Sequence, residues 1–417
     1  MIARRTFLAA GLSAGLSSTL VSACDNTSAD GSGNRVTLDF FQFKTEAVGT
    51  FAKIIKAFEA EHPGIRVVQN NVPSPATAMR ARLVRNDVPD VITLNGDSVF
   101  GEIARAGVFH DFSGDEAAAG ISPAVQKVLD GLGTGAPHEA NGLPFASNAD
   151  GVIYNKDLFA EHDVAVPTTW SELLAAAETF HTAGVTPFYG ALKEAWTCLP
   201  PLNTLASNLQ PPDTFFQERL AGRTTFAEAY APVADKLAQL YRYTQQDTPS
   251  RDYNAGNQAF AQGKAAMYLQ GVWAIPAIKT FKPAFEIGTF ALPVTDDASA
   301  TRLVSGVDVA VTMGRKPRHP AESMAFISYL MRPAVMRAYA AEQLAFPTLK
   351  GSSPEDPALA GLRPYFDSGR IVAFSDHRIP LSVQLDSVTQ QFLFDGRRDS
   401  YLRALDSEWD KYQARHN

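Results

Sequence analysis

The sequence predicts an α/β fold in two lobes. Short apolar strands alternate with amphipathic helices from Val36 to Ala106, the same strand–helix order starts again near Gly151, and the later segments revisit both halves. That order fits two α/β lobes, each visited more than once, better than one long sheet. Strands separated by helices also point to a largely parallel sheet.

Val36 to Phe43 alternates well enough for a strand. Phe51, Ile54, Ile55 and Phe58 recur at helical spacing, and His62-Pro63-Gly64 stops that helix. Ile65–Val68 reads as a second strand, Met79–Val84 as a helix, and Val91–Leu94 as a short apolar strand after the turn Val88-Pro89-Asp90. A helix from about Val99 to Ala106 ends at Gly107. In the second half, Gly151–Tyr154 is a strand. Thr169, with Glu172 three residues on, is a capping box. The helix it opens puts Trp170, Leu173, Leu174 and Ala177 on one face and closes near Gly184. Ala266–Leu269 and Leu303–Thr312 read as strands, and Pro320 begins a helix with Met324, Phe326, Ile327 and Leu330 inward.

The start of the chain is a targeting segment and stands outside the fold. Arg4 and Arg5 precede Phe7-Leu8, as in a twin-arginine export signal. A small-residue apolar stretch, too short for a membrane span, then ends in Val21-Ser22-Ala23-Cys24, which is similar to a bacterial lipobox. Cys24 is the expected lipidation site, with a buried thiol as the plain alternative. Asp25 to Asn34 has no apolar residue but one alanine, so it reads as a flexible tether.

Apolar residues make up 45% of the chain, enough for large cores. The formal charge of -7 argues against a nucleic-acid partner. Once Cys24 carries lipid, Cys198 has no cysteine left to pair with. The eight histidines show no H-E-x-x-H spacing, and there is neither a cysteine cluster nor a glycine-rich phosphate loop. No metal, cofactor or catalytic group is expected.

Four stretches resemble the extracellular sugar-binding proteins of ABC importers, solute-binding protein family 1, which includes maltose-binding protein. They are Phe58-Glu-Ala-Glu-His-Pro-Gly-Ile-Arg-Val67, Gly142 to Phe159 (GLPFASNADGVIYNKDLF), Pro167-Thr-Thr-Trp-Ser-Glu-Leu-Leu174, and Phe260 to Ala274 (FAQGKAAMYLQGVWA). Each is weak alone; their order and spacing are specific. The resemblance implies a periplasmic-binding-protein-like fold, with a hinge and a ligand cleft between the lobes that closes on a solute. By matching positions, residues 1–24 are the lipoprotein signal and 25–34 the tether. The amino-terminal lobe takes 35–146 and the return segment 305–347, and the carboxyl-terminal lobe takes 147–304 and 348–417. It further implies a monomer on the outer face of the cell membrane, held by lipid on Cys24, that hands a small sugar to ABC permease subunits.

A sugar offers C–H faces and a rim of hydroxyls, so its site needs aromatic planes with Asp, Asn, Glu or Arg around them. Trp273 matches the family position that stacks on a sugar, with core packing as its alternative. Gly271 before it would let backbone approach a ligand. Asn148 and Asp150 lie where the chain should cross between lobes and are equally readable as turn formers. Asn95 and Asp97 follow the strand Val91–Leu94 at its carboxyl end, where open α/β sheets place ligands, though Asp97 also suits a helix cap. Gln42 and Phe43 end the first strand and face the cleft in the family, although Phe43 suits the core too. Asp308, on a returning strand, and Asp376, His377 and Arg378, in a polar–aromatic loop, are further candidates; His377 also reads as a solvated loop residue. Trp196 is as readable as core as it is as ligand contact. Tyr154-Asn-Lys-Asp-Leu158 reads as a strand end and helix start.

Two other functions compete. A secreted glycoside hydrolase needs two placed carboxylates, and nothing singles out such a pair. A binder of a peptide or polyamine is the other; the aromatic and amide candidates suit a neutral polyol instead.

Overall fold

The computed structural model describes residues 35–72, 75–133, 139–352 and 356–416. The export segment, the tether and Cys24 lie outside the described residues. Among the described residues, eleven strands form two sheets. In chain order they are β1 (Val36–Gln42), β2 (Ile65–Asn71), β3 (Val91–Leu94), β4 (Leu143–Ala149), β5 (Val152–Asn155), β6 (Phe188–Tyr189), β7 (Met267–Tyr268), β8 (Ile287–Phe290), β9 (Leu303–Thr312), β10 (Phe346–Pro347) and β11 (Ile371–Val372).

One sheet runs β10-β4-β9-β3-β1-β2, with β11 paired to the start of β9; the other runs β6-β7-β5-β8. The sequence pattern implies mostly parallel strands, and the structure corrects this. β1 pairs with β2 and β3 in parallel, but β9 is antiparallel to both β3 and β4, and β5 is antiparallel to β7 and β8. The cause is the crossing between sheets. β4 and β9 connect one sheet to the other, and a strand arriving from the far sheet enters against the direction of the local βαβ units.

Strand chemistry follows the pleat. On β1, Leu38 and Phe40 enter one apolar cluster with Phe51, Phe58 and Tyr339, while Phe41 points to the opposite face, with Ile92 and Phe100. All ten residues of β9 are buried, as expected for a strand covered on both faces. β4 is harder to foresee because Pro144 removes a ladder donor, and its pairing with β9 shifts register between Pro144 and Ser147. The capping box at Thr169 and Glu172 forms as the sequence reads and opens the helix Trp170–Thr182. Asn155 caps the helix Lys156–Glu161, which accounts for the Tyr154–Leu158 motif without a ligand.

Candidate functional site

β4 runs into β5 through only Asp150 and Gly151, so this short link joins the two sheets. The Asp150 amide donates to the Val304 carbonyl at 3.0 Å, and the Val272 amide donates to Ala149 at 3.0 Å. A cleft of about 350 Å³ opens at this junction. Turns after the carboxyl ends of β1 and β3 supply Phe43, Lys44, Glu46 and Asn95 to one wall. Trp196, Asn203, Trp273, Phe374, Asp376 and His377 line the other. Asp308, Asn148 and Asp150, from β9 and from β4 and its end, form the floor.

The floor holds a buried ion pair. Lys44 Nζ donates to both carboxylate oxygens of Asp308 at 2.7 Å, and each side chain is 7% exposed. Asn148 Nδ2 donates to the same carboxylate at 3.1 Å, and Glu46 stands 3.4 Å from the ammonium. Burial alone pulls the Lys44 pKa down, but Asp308 and then Glu46 outweigh it and hold it above the ordinary lysine range. Sequence reasoning missed Lys44. The available signal was Asp308 itself: a carboxylate inside so apolar a strand demands a cationic partner.

Asp150 is 1% exposed, and neither of its carboxylate oxygens has a hydrogen-bond partner among the described residues. Asn148 Oδ1 and Asp376 Oδ1 are likewise buried and unpartnered. Burial, and then the charge of Asp376, raise the Asp150 pKa well above the carboxylate range. Because the folded protein keeps this proton to higher pH than the unfolded chain, the neutral carboxyl's contribution is fully present below the unfolded pKa. It is lost as pH rises through the folded value. Asp150→Asn, which cannot titrate, should therefore gain in melting temperature over the unliganded wild type as pH rises across that window. Melting curves at a series of pH values check it; a difference that does not move with pH removes the assignment.

Trp273 is half-buried and packs on an apolar cluster while facing the cleft. Its position depends on Gly271, where an added Cβ would stand 1.9 Å from the indole Cζ3. The space that Gly271 frees is filled by Trp273 in this structure. Trp196 is also half-buried and packs on Tyr253, with ring centroids 4.9 Å apart. His377 stacks on Phe374 at 4.7 Å, and Phe374 in turn lies so close over Gly306 that a Cβ there would stand 2.7 Å from the ring.

Three expected residues do not line this cleft. Gln42 is fully buried; its Nε2 donates to the Lys44 carbonyl at 2.7 Å, and its Oε1 accepts from Asn71 at 2.8 Å. The pleat turns it inward and leaves Phe43 facing out, so Gln42 shapes the turn that carries Lys44. Asp97 caps the helix Ser98–Arg105, accepting from Val99 N at 2.9 Å and Phe100 N at 3.2 Å. Burial raises its pKa, against the opposing pull of His377 and those amides. Arg378 turns away to Asp213 at 2.8 Å.

A second cavity lies on the far side of His377. This chamber of about 250 Å³ shares His377 and is walled by Glu102 and Arg105 on one side and by Phe216, Arg378 and Trp409 on the other. The Trp409 Nε1 is buried there without a partner. A larger hollow of about 670 Å³ lies elsewhere, beside the helix Pro333–Gln343; among the described residues its lining is made of small, aliphatic and charged side chains without an aromatic ring. Among the described residues, no cluster of three or more His, Cys, Asp or Glu is placed to hold a metal, and no helix is long and apolar enough to cross a membrane.

Comparison with known proteins agrees with this architecture. The model of the bacterial extracellular solute-binding protein family matches residues 44–337. The multiple sugar-binding protein of Streptococcus mutans is 30% identical over 345 residues, 78% of each chain. The melibiose/raffinose/stachyose-binding protein MelE of Bacillus subtilis is 21% identical over 293 residues, covering 68% of this chain and 67% of MelE. Among solved structures, the solute-binding protein RafE in complex with raffinose superposes with a TM-score of 0.80 at 25% identity, covering 90% of this chain and 99% of RafE.

Proposed function

This chain belongs to the bacterial extracellular solute-binding protein family, and on that premise we propose that it captures an oligosaccharide in its interlobe cleft for an ABC importer. It is a binding component, not an enzyme. The observation that carries the sugar reading is the make-up of the cleft: two half-buried tryptophans, Trp196 and Trp273, face buried carboxylates and an amide. Flat apolar rings suit the C–H faces of a pyranose, and the carboxylates and Asn148 suit its hydroxyls. The second chamber beyond His377 favours a chain of rings over a single one. Similarity to proteins named for raffinose, melibiose and stachyose points to the same class.

In this reading Trp273, Trp196, Asn148, Asp150, Asn95, Phe43, Asp308, Asp376 and His377 contact sugar, and Lys44 joins them. The lobes are the two sheet-centred bodies joined by the β4–β5 link, with closure about that hinge. Thermal-shift screening against galactose, melibiose, raffinose, stachyose and maltotriose tests the reading, since a ligand that binds only the folded state raises its melting temperature. Raffinose or one of its relatives should stabilise the protein; no response to any of these sugars at millimolar concentration would remove the reading.

We also propose that the protein is held outside the cell by lipid on Cys24. The basis is Arg4-Arg5 and Val21-Ser22-Ala23-Cys24. Cys24→Ala should appear in the soluble extracytoplasmic fraction or accumulate unprocessed. A variant that stays with the membrane at its mature size would remove the anchor.

A further inference from the structure

We infer that the inner cleft selects neutral or amine-bearing sugars and rejects acidic ones, such as uronates and sugar phosphates. This rests on the sugar-binding reading above and adds a charge specificity to it. The reason lies in which polar groups remain unspent. Apart from His377, Lys44 is the one cationic side chain lining the inner cleft among the described residues, and both Asp308 oxygens already hold it at 2.7 Å. The Asn148 amide nitrogen is spent on the same carboxylate. His377 lies 3.8 Å from Asp376, so any positive charge it gains faces a carboxylate first.

Among the fully buried polar atoms of the lining, those left without a partner are mostly acceptors. Asn148 Oδ1, Asp376 Oδ1 and the Asp150 carboxyl are buried without hydrogen-bond partners, and the proton that burial keeps on Asp150 is the single donor among them. A buried acceptor without a donor is costly, so the favourable ligand is one that donates. Adjacent hydroxyls do this, and so does an ammonium group. A carboxylate or phosphate can only accept. It would be desolvated beside Asp376 and Glu46 with no free cation to meet it. The outer chamber differs, because Arg105 and Arg378 both border it. The rejection therefore belongs to the ring that sits on the inner floor, next to Asp150.

The test uses matched ligands. For whichever of raffinose, melibiose or maltotriose binds, derivatives carry either a carboxylate or an aminomethyl group in place of the C6 hydroxymethyl group, on one terminal ring or the other. Calorimetric titration gives each affinity. At one of the two ends, the amine derivative should bind within about tenfold of the parent and the carboxylate at least about tenfold more weakly than the amine, since like charges brought together in a dry site are strongly unfavourable. The paired change Asp150→Asn with Asp376→Asn should narrow that gap. A carboxylate tolerated at both ends, amine and carboxylate rejected equally, or a gap unmoved in the paired variant would each overturn the charge selection while leaving sugar binding in place. Failure of all three parent sugars to bind would instead fall on the sugar reading, and the selection would fall with it.

Discussion

Trp273→Ala is expected to weaken sugar binding by at least about tenfold while the protein still folds. Stacked aromatic contacts contribute roughly 0.5–1.5 kcal/mol beyond simple burial, and covering a large side chain contributes about 1.5–3 kcal/mol more. About 1.4 kcal/mol is one decade of affinity. The indole is half-buried and flanks an apolar cluster without filling it, so the stability cost should stay below the ~3–5 kcal/mol of a fully buried tryptophan. Gly271→Ala provides an independent route to the same end. Its Cβ would stand 1.9 Å from the indole, so the ring must leave its place although all its atoms remain. Calorimetric titration and a melting curve on both variants decide the matter. Normal affinity in both, with a sharp loss of stability in Trp273→Ala, would assign the ring to the core and pass its role to Trp196.

Lys44→Ala should be more damaging to the fold. It leaves the Asp308 carboxylate, 7% exposed, with only the Asn148 amide as a donor. Removing one partner of a buried pair costs about 3–5 kcal/mol, because the remaining charge is desolvated without compensation. Binding should fail as well, since the cleft floor loses its order. Lys44→Met together with Asp308→Leu separates the two effects. An apolar replacement of a buried pair is often close to neutral in stability, so folding should largely return while binding stays lost. Chemical denaturation reads the first quantity and titration the second. If Lys44→Ala costs under about 1 kcal/mol, the range of exposed pairs, the pair is effectively solvated and its structural role is wrong.

Much of the fold is legible from local rules. The alternation in β1, the apolar run of β3, the bounds of β9 and the capping box at Thr169 each depend on residues close together in the chain. Much of the candidate site is legible too. Phe43, Asn95, Asn148, Asp150, Trp196, Trp273, Asp308, Asp376 and His377 all line one cleft. Asn95 was readable from its strand end, while most of the others were reached through the resemblance to the sugar-binding family, which implies a crossing between lobes and a last loop at the cleft.

By itself the sequence determined the element types, their order and the two-lobed α/β plan, because hydrophobic period and end caps act over a few residues. The tertiary structure alone decided the rest. Strand direction in the mixed sheets followed from β4 and β9 crossing between lobes, which no local period encodes. The Lys44–Asp308 pair joins positions 264 residues apart, so neither side chain announces the other. Gln42 and Phe43 were separated by one step of the pleat, one turned inward and its neighbour out to the cleft. Trp273 fills the space that Gly271 frees, and Asp97 caps a helix. Each of these outcomes depends on which surfaces meet across the fold, and that is fixed by long-range packing rather than by the chain's immediate neighbours.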